Sequence, residues 1–95
     1  MKRPKHIRIY DNGGTDAGGT MDRYTVVYMK EPYYRANRPR YLTTFNSLSM
    51  NSEPFRGIGQ HGPAIPGAHL GKRIPWEKLP EQCQRAVIQD TTPQS

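Results

Sequence analysis

The side chains best suited to chemistry in this 95-residue chain are two histidines in a stretch rich in glycine and proline, residues 54–73. Histidine titrates near neutral pH, so His61 and His69 are candidates for proton transfer. With Asp11 as a partner carboxylate and loop amides as anion donors, they predict a small enzyme that performs acid–base chemistry on a phosphate-bearing substrate. The alternative is that both are loop histidines bonded to backbone.

Asp11 itself has two interpretations. The run Asp11-Asn12-Gly13-Gly14 predicts a tight turn, because asparagine and glycine tolerate positive φ angles. A turn explains these residues without any function. A carboxylate at the end of a strand beside a flexible loop is also a common place for a catalytic acid or base.

The glycines of residues 54–73 do not form a nucleotide-binding motif. A dinucleotide fingerprint needs its last glycine to open a helix, and Pro63 and Pro66 prevent that helix here. The histidines, the cysteine and the nearby aspartates match no zinc spacing. We therefore predict no metal and no other cofactor.

The second candidate chemistry is the binding of anions. The net charge is +6, and Lys2, Arg3, Lys5 and Arg8 all precede the first acidic residue. Such a field attracts nucleic acid or an acidic protein surface. A second cluster combines arginines with tyrosines that can stack on bases. A pair of basic residues also ends the glycine-rich stretch. The predicted anion-binding residues are Tyr33, Tyr34, Arg35, Arg38, Arg40, Lys72 and Arg73. Arginine and tyrosine are equally typical of protein–protein contacts.

These side chains must be positioned by a small sheet. Residues 6–10 alternate polar and apolar, which predicts a strand with Ile7 and Ile9 inward. Residues 24–29 are apolar on both faces, which is typical of a central strand. Residues 41–45 predict a third strand, which 46–52 either prolong or follow as a fourth. Prolines and glycines exclude a long helix or a central strand from 53 to 71, so we predict a long loop there.

The C-terminal part has a helical pattern. A single turn is predicted around Trp76, which we expect in the core, and a helix from Pro80 to about Asp90. Leu79, Cys83, Ala86 and Val87 form its apolar stripe. Together these elements predict an α+β fold, a two-layer domain with an antiparallel sheet of three or four strands, one C-terminal helix and a long Gly/Pro-rich loop. We expect one domain, 1–95, ordered from about 5 to 90.

The composition also restricts where the protein works. A single cysteine cannot form an internal disulfide, which suits a reducing compartment. The N-terminus lacks the apolar run of a secretory signal, and no stretch has the roughly 20 apolar residues of a membrane span. We therefore expect a cytoplasmic protein with no membrane partner. An unpaired sheet edge would allow a homodimer, so a self-associating structural protein is a third hypothesis.

Several segments resemble a group of short proteins of bacterial genomes, prophages and plasmids. The resemblance lies in residues 9–14, 22–27, 59–61 and 69–74, and it extends from about Lys5 to Asp90. It implies an accessory protein of a mobile element that acts on host defence or nucleic-acid metabolism, and it assigns no catalytic residue. The leading hypothesis is therefore a small non-enzymatic protein that binds an anionic partner, either nucleic acid or an acidic protein surface.

Overall fold

The computed structural model describes residues 2–19, 21–32, 44–52 and 59–92. In these residues, five strands form one antiparallel sheet in the order β4-β3-β2-β1-β5. They are β1 (Ile7–Asp11), β2 (Tyr24–Pro32), β3 (Phe45–Met50), β4 (Gln60–Ala64) and β5 (Lys72–Ile74), and the helix α1 (Glu81–Thr91) follows. The fold is α+β, as the sequence predicts.

Strand β2 is the centre of the sheet, because its side chains are apolar on both faces. Val26 and Val27 point to opposite faces, and both are fully buried. In the register of the sheet, Val26 lies opposite Ile9 of β1 and Leu48 of β3. This confirms the central strand, although it runs three residues past the predicted end.

The face of the sheet that carries Val26 is covered by α1; we call it the helix face. Ile7, Ile9, Tyr24, Tyr28, Leu48 and Met50 share this face and form one core cluster with Cys83, Ala86 and Val87 of the helix. Trp76 and Leu79 join the same cluster. The predicted stripe and the core position of Trp76 are therefore confirmed. A short 3₁₀ turn at Trp76–Lys78 precedes Pro80, and the helix begins at Glu81.

Residues 54–73, for which the sequence predicts a long loop, also contribute strands to the sheet. Those that the structure describes include β4 at one edge of the sheet and the start of β5 at the other. Pro63 is tolerated in β4 because an edge strand can leave one backbone position without a partner. The sheet therefore has five strands in the described residues, where the sequence predicts three or four. In the third strand, β3 begins at Phe45 and continues to Met50, and residues 41–43 lie outside the described part.

Residues 65–71 connect the two edge strands across the other face of the sheet, which we call the crossover face. Thr25, Ser47 and Ser49 lie on this face. Together with Ile65 and Leu70 of the connection, they line a cavity between the sheet and the connection. The sheet is thus covered on both sides. None of the helices in the described residues has the length and apolar character needed to cross a membrane.

Candidate functional site

The carboxylate of Asp11 is bound by the side chain of Arg23, the residue just before β2. This carboxylate accepts two hydrogen bonds from Arg23, at 2.7 Å from Nε and 3.0 Å from Nη2, and a third at 2.8 Å from the amide of Gly13. The Arg23 hydrogen bond is the main cause that holds the pKa of Asp11 below its ordinary value. A carboxylate so engaged is a poor base, because its lone pairs are already accepting hydrogen bonds.

The run after Asp11 matches the predicted tight turn only in part, because the positive φ angles fall on Gly13 and Gly14 rather than on Asn12, and β2 begins only at Tyr24. Gly13 and Gly14 both have positive φ, 87° and 74°. The Asn12 side chain accepts a hydrogen bond from the Gly14 amide at 2.8 Å, just as Asp11 does from Gly13. These bonds are Asx turns, in which a side chain takes the place of a backbone acceptor. These hydrogen bonds give Asp11 and Asn12 a structural role.

His61 has a different carboxylate partner from the predicted one. It lies on β4 on the helix face, and its Nε2 is 2.7 Å from Oδ1 of Asp90 in the last turn of α1. The other oxygen of Asp90 accepts a 2.5 Å hydrogen bond from the buried Tyr28 hydroxyl. We call these three side chains the Tyr28–Asp90–His61 cluster. Burial, the first cause, and the bond to Asp90 both raise the pKa of Tyr28.

The cluster can fix the tautomer of His61. A carboxylate only accepts hydrogen bonds, so Nε2 carries the hydrogen when His61 is neutral, and Nδ1 is left as an acceptor. The His61 side chain is 52% exposed, so the ring lies at the protein surface. Asp11 lies three strands away on β1, roughly 14 Å by strand spacing. The structure therefore does not bring Asp11 and His61 together.

His69 lies on the opposite side of the sheet from His61. It belongs to a 3₁₀ turn, Ala68–Leu70, in the connection that covers the crossover face. Its ring packs close to Gly67 and lines a cavity of about 270 Å³, which we call the His69 pocket. The two histidines are thus on different faces, although they are only eight positions apart in the sequence. The described residues contain no group of three side chains able to hold a metal ion.

Basic side chains gather at the β1–β5 side of the sheet. Arg73 lies opposite Tyr10 on the crossover face, and Arg8 is its diagonal neighbour on β1. Lys72 and Arg73 are exposed, and neither these two nor Arg8 has a carboxylate within 4.0 Å among the described residues. We call this surface the basic edge, and it consists of Arg8, Lys72 and Arg73.

The second predicted cluster lies outside the described residues. It comprises Tyr33, Tyr34, Arg35, Arg38 and Arg40. The residues that flank it are described: Pro32 pairs with Phe45 at the end of the sheet where β1 begins. The N-terminal segment that carries Lys2, Arg3 and Lys5 joins the sheet at that same end, because the amide of Met29 donates to the carbonyl of His6 at 2.8 Å.

Sequence reasoning missed the partners of the predicted residues rather than the residues themselves. The sequence pattern does not indicate Arg23, Asp90 or Tyr28, which complete the contacts of Asp11 and His61. An aspartate near a helix C-terminus gives one weak signal, because negative charge is unfavourable there without a donor. Nothing in the local sequence identifies the donors.

Comparison of the chain with models of known protein families, with curated proteins and with solved structures finds no match. The geometry of these sites is therefore the basis for a functional conclusion.

Proposed function

We propose that this chain is a small binding protein, an accessory protein of phage or plasmid type, that engages an anionic partner through its basic edge. The observation that carries the proposal is that Arg8, Lys72 and Arg73 form no ion pair within 4.0 Å with a carboxylate of the described residues. The nearest aspartate along β1 is Asp11, and Arg23 already neutralises it.

The charge of the basic edge is available to a partner. Two of its cations, Lys72 and Arg73, extend from an edge strand that has no strand beyond it in the described sheet. Lys72 lies opposite Asp11 and Arg73 opposite Tyr10, so the two side chains point to opposite faces. A partner that approaches the open edge of the sheet would contact both, and a partner on the crossover face would contact Arg73 with Arg8.

An anionic partner explains this surface better than acid–base catalysis explains the histidines. Catalysis needs a base, its orienting group and a pocket for the substrate in one place. His61 has the orienting carboxylate of Asp90 but lies in the open, whereas His69 lines a pocket on the other face and has no carboxylate partner among the described residues. The hypothesis of an enzyme that uses His61 or His69 with Asp11 therefore has less geometric support than the binding hypothesis.

Salt dependence of binding tests the proposal. Fluorescence anisotropy would follow labelled duplex DNA and single-stranded RNA between 50 and 200 mM salt, about the range over which phosphate contacts weaken strongly. On duplex, log K should fall with log salt by about 0.9 for each phosphate contact. R73Q should therefore weaken binding and lower that slope by about one unit.

The matched control is R85Q, which removes one positive charge from the exposed face of α1. Arg85 is 70% exposed and pairs with Glu81, on the side of the sheet away from Arg73. This variant should bind as the original chain does. If R85Q loses as much affinity as R73Q, net charge alone explains binding and the basic edge has no role.

An acidic protein as the partner predicts another pattern. The chain would then ignore both nucleic acids but bind a polyglutamate peptide, again with loss in R73Q and not in R85Q. Binding to none of the three probes at 50 mM salt would refute the proposal. So would a dimer in light scattering that R73Q dissociates, because the basic edge would then serve self-association.

A further inference from the structure

The His69 pocket is a cavity between the crossover face of the sheet and the segment that crosses it. The sheet contributes Thr25, Ser47 and Ser49 to the lining, and the crossing segment contributes Ile65, His69 and Leu70. Its volume of about 270 Å³ is close to the lower limit for pockets that hold small molecules. It is distinct from the basic edge and is not needed for the function proposed above.

Two hydroxyl groups on the sheet side of the pocket make no hydrogen bond to another described residue. Thr25 and Ser49 lie opposite each other on β2 and β3, so their side chains are neighbours. Neither hydroxyl has a hydrogen bond to another described residue, whereas Ser47 donates to the carbonyl of Gly62 at 2.8 Å. No buried side-chain oxygen or nitrogen in the described residues lacks a partner, so these two hydroxyls meet solvent in the pocket.

The opposite wall is apolar apart from one imidazole. Ile65 and Leu70 provide aliphatic surface, and His69 adds a ring that can donate or accept a hydrogen bond. When His69 is neutral, the lining carries no formal charge. A hydroxyl both donates and accepts, so this lining matches an uncharged molecule with both kinds of group at its edge and apolar surface on its face.

We propose that the His69 pocket binds a small uncharged ring molecule with hydrogen-bond donors and acceptors, of the size of one sugar or one nucleobase. Sugars and nucleobases share this chemistry, since each combines an apolar ring face with polar groups at the edge. The hydroxyls of Thr25 and Ser49 would bond its edge, while Ile65 and Leu70 cover its face. An anion fits less well, because the lining offers no lysine or arginine.

Two-dimensional ¹H–¹⁵N NMR titration with adenosine, cytidine and glucose as separate probes tests this proposal. Because the pocket is small and open, we expect a Kd on the order of 1 mM, well within the range of such titrations. The amides of β2, β3 and residues 65–71 should shift with at least one probe. A response to the nucleosides alone, or to glucose alone, would identify the source of the ring.

The decisive variant is T25V, which keeps the shape of the side chain and removes its hydroxyl. Loss of one hydrogen bond should weaken binding about fivefold. T15V is the matched control, because Thr15 is exposed and lies outside the pocket. If the spectrum of T25V without ligand shows that its fold has changed, S49A provides a second test at the neighbouring hydroxyl.

Three results would overturn the proposal. The first is no shift with any probe at 10-fold the expected Kd. The second is equal binding by T25V, S49A and the original chain, and the third is equal weakening by T15V. None of these results bears on the basic edge, which is tested with charged probes.

Discussion

The Tyr28–Asp90–His61 cluster predicts a large loss of stability in Y28F. Tyr28 is 4% exposed, and its hydroxyl donates to a carboxylate that anchors the last turn of α1 to the central strand. The substitution keeps the ring and removes only this bond. A hydrogen bond to a charged group contributes about 1.5–3 kcal/mol, so the free energy of unfolding should fall by about 2 kcal/mol. For a domain of this size the melting temperature should fall by about 10 °C.

Urea unfolding at pH 7 measures this effect, and Y10F is its matched control. Tyr10 is 5% exposed on the crossover face and has no hydroxyl bond to another described residue. The same atom is removed there without loss of a carboxylate partner, so Y10F should change the free energy of unfolding by less than about 0.5 kcal/mol.

Alkaline pH gives a second measurement on the same residue. Burial raises the pKa of Tyr28 above its ordinary value of 10.0, so the folded chain keeps the proton where the unfolded chain releases it. Stability from this group is therefore complete below about pH 10 and falls above it, by up to about 1.4 kcal/mol per pH unit. In Y28F this decline should be shallower. Equal stability of Y28F and the original chain at pH 7, with the same alkaline decline, would mean that the bond to Asp90 does not form in solution.

Two further predictions concern the core and the connection across the sheet. Cys83 is fully buried and burial raises its pKa to about 11, so a thiol reagent at pH 7.5 should label it only after unfolding; labelling of the native chain would contradict this packing. G71A should lower the free energy of unfolding in urea by more than about 2 kcal/mol, because Gly71 has a φ of 114° and a Cβ there would collide with the Asp11 backbone. The control is G62A, where a Cβ meets nothing within 4 Å, and a similar loss in both variants would refute the reasoning.

The sequence alone determined the elements whose pattern is local. The central position of β2 followed from apolar groups on both faces, and the buried side of α1 followed from spacings of three and four. The end of β1 at Asp11 followed from the glycines after it, which take the positive φ angles there. In each case a few neighbouring residues contain the whole physical cause, so no knowledge of distant contacts is needed.

Tertiary structure decided the edges of the sheet and the surroundings of every candidate side chain. Strand β4 has no strand-like pattern, since its glycine and proline are acceptable only because it lies at an edge, next to β3. His61 meets Asp90 across 29 positions and Tyr28 meets Asp90 across 62, which no local pattern encodes. The His69 pocket exists because residues 65–71 must pass over the crossover face to connect opposite edges. Residue types predicted which groups can do chemistry, whereas strand order and register decided which of them meet.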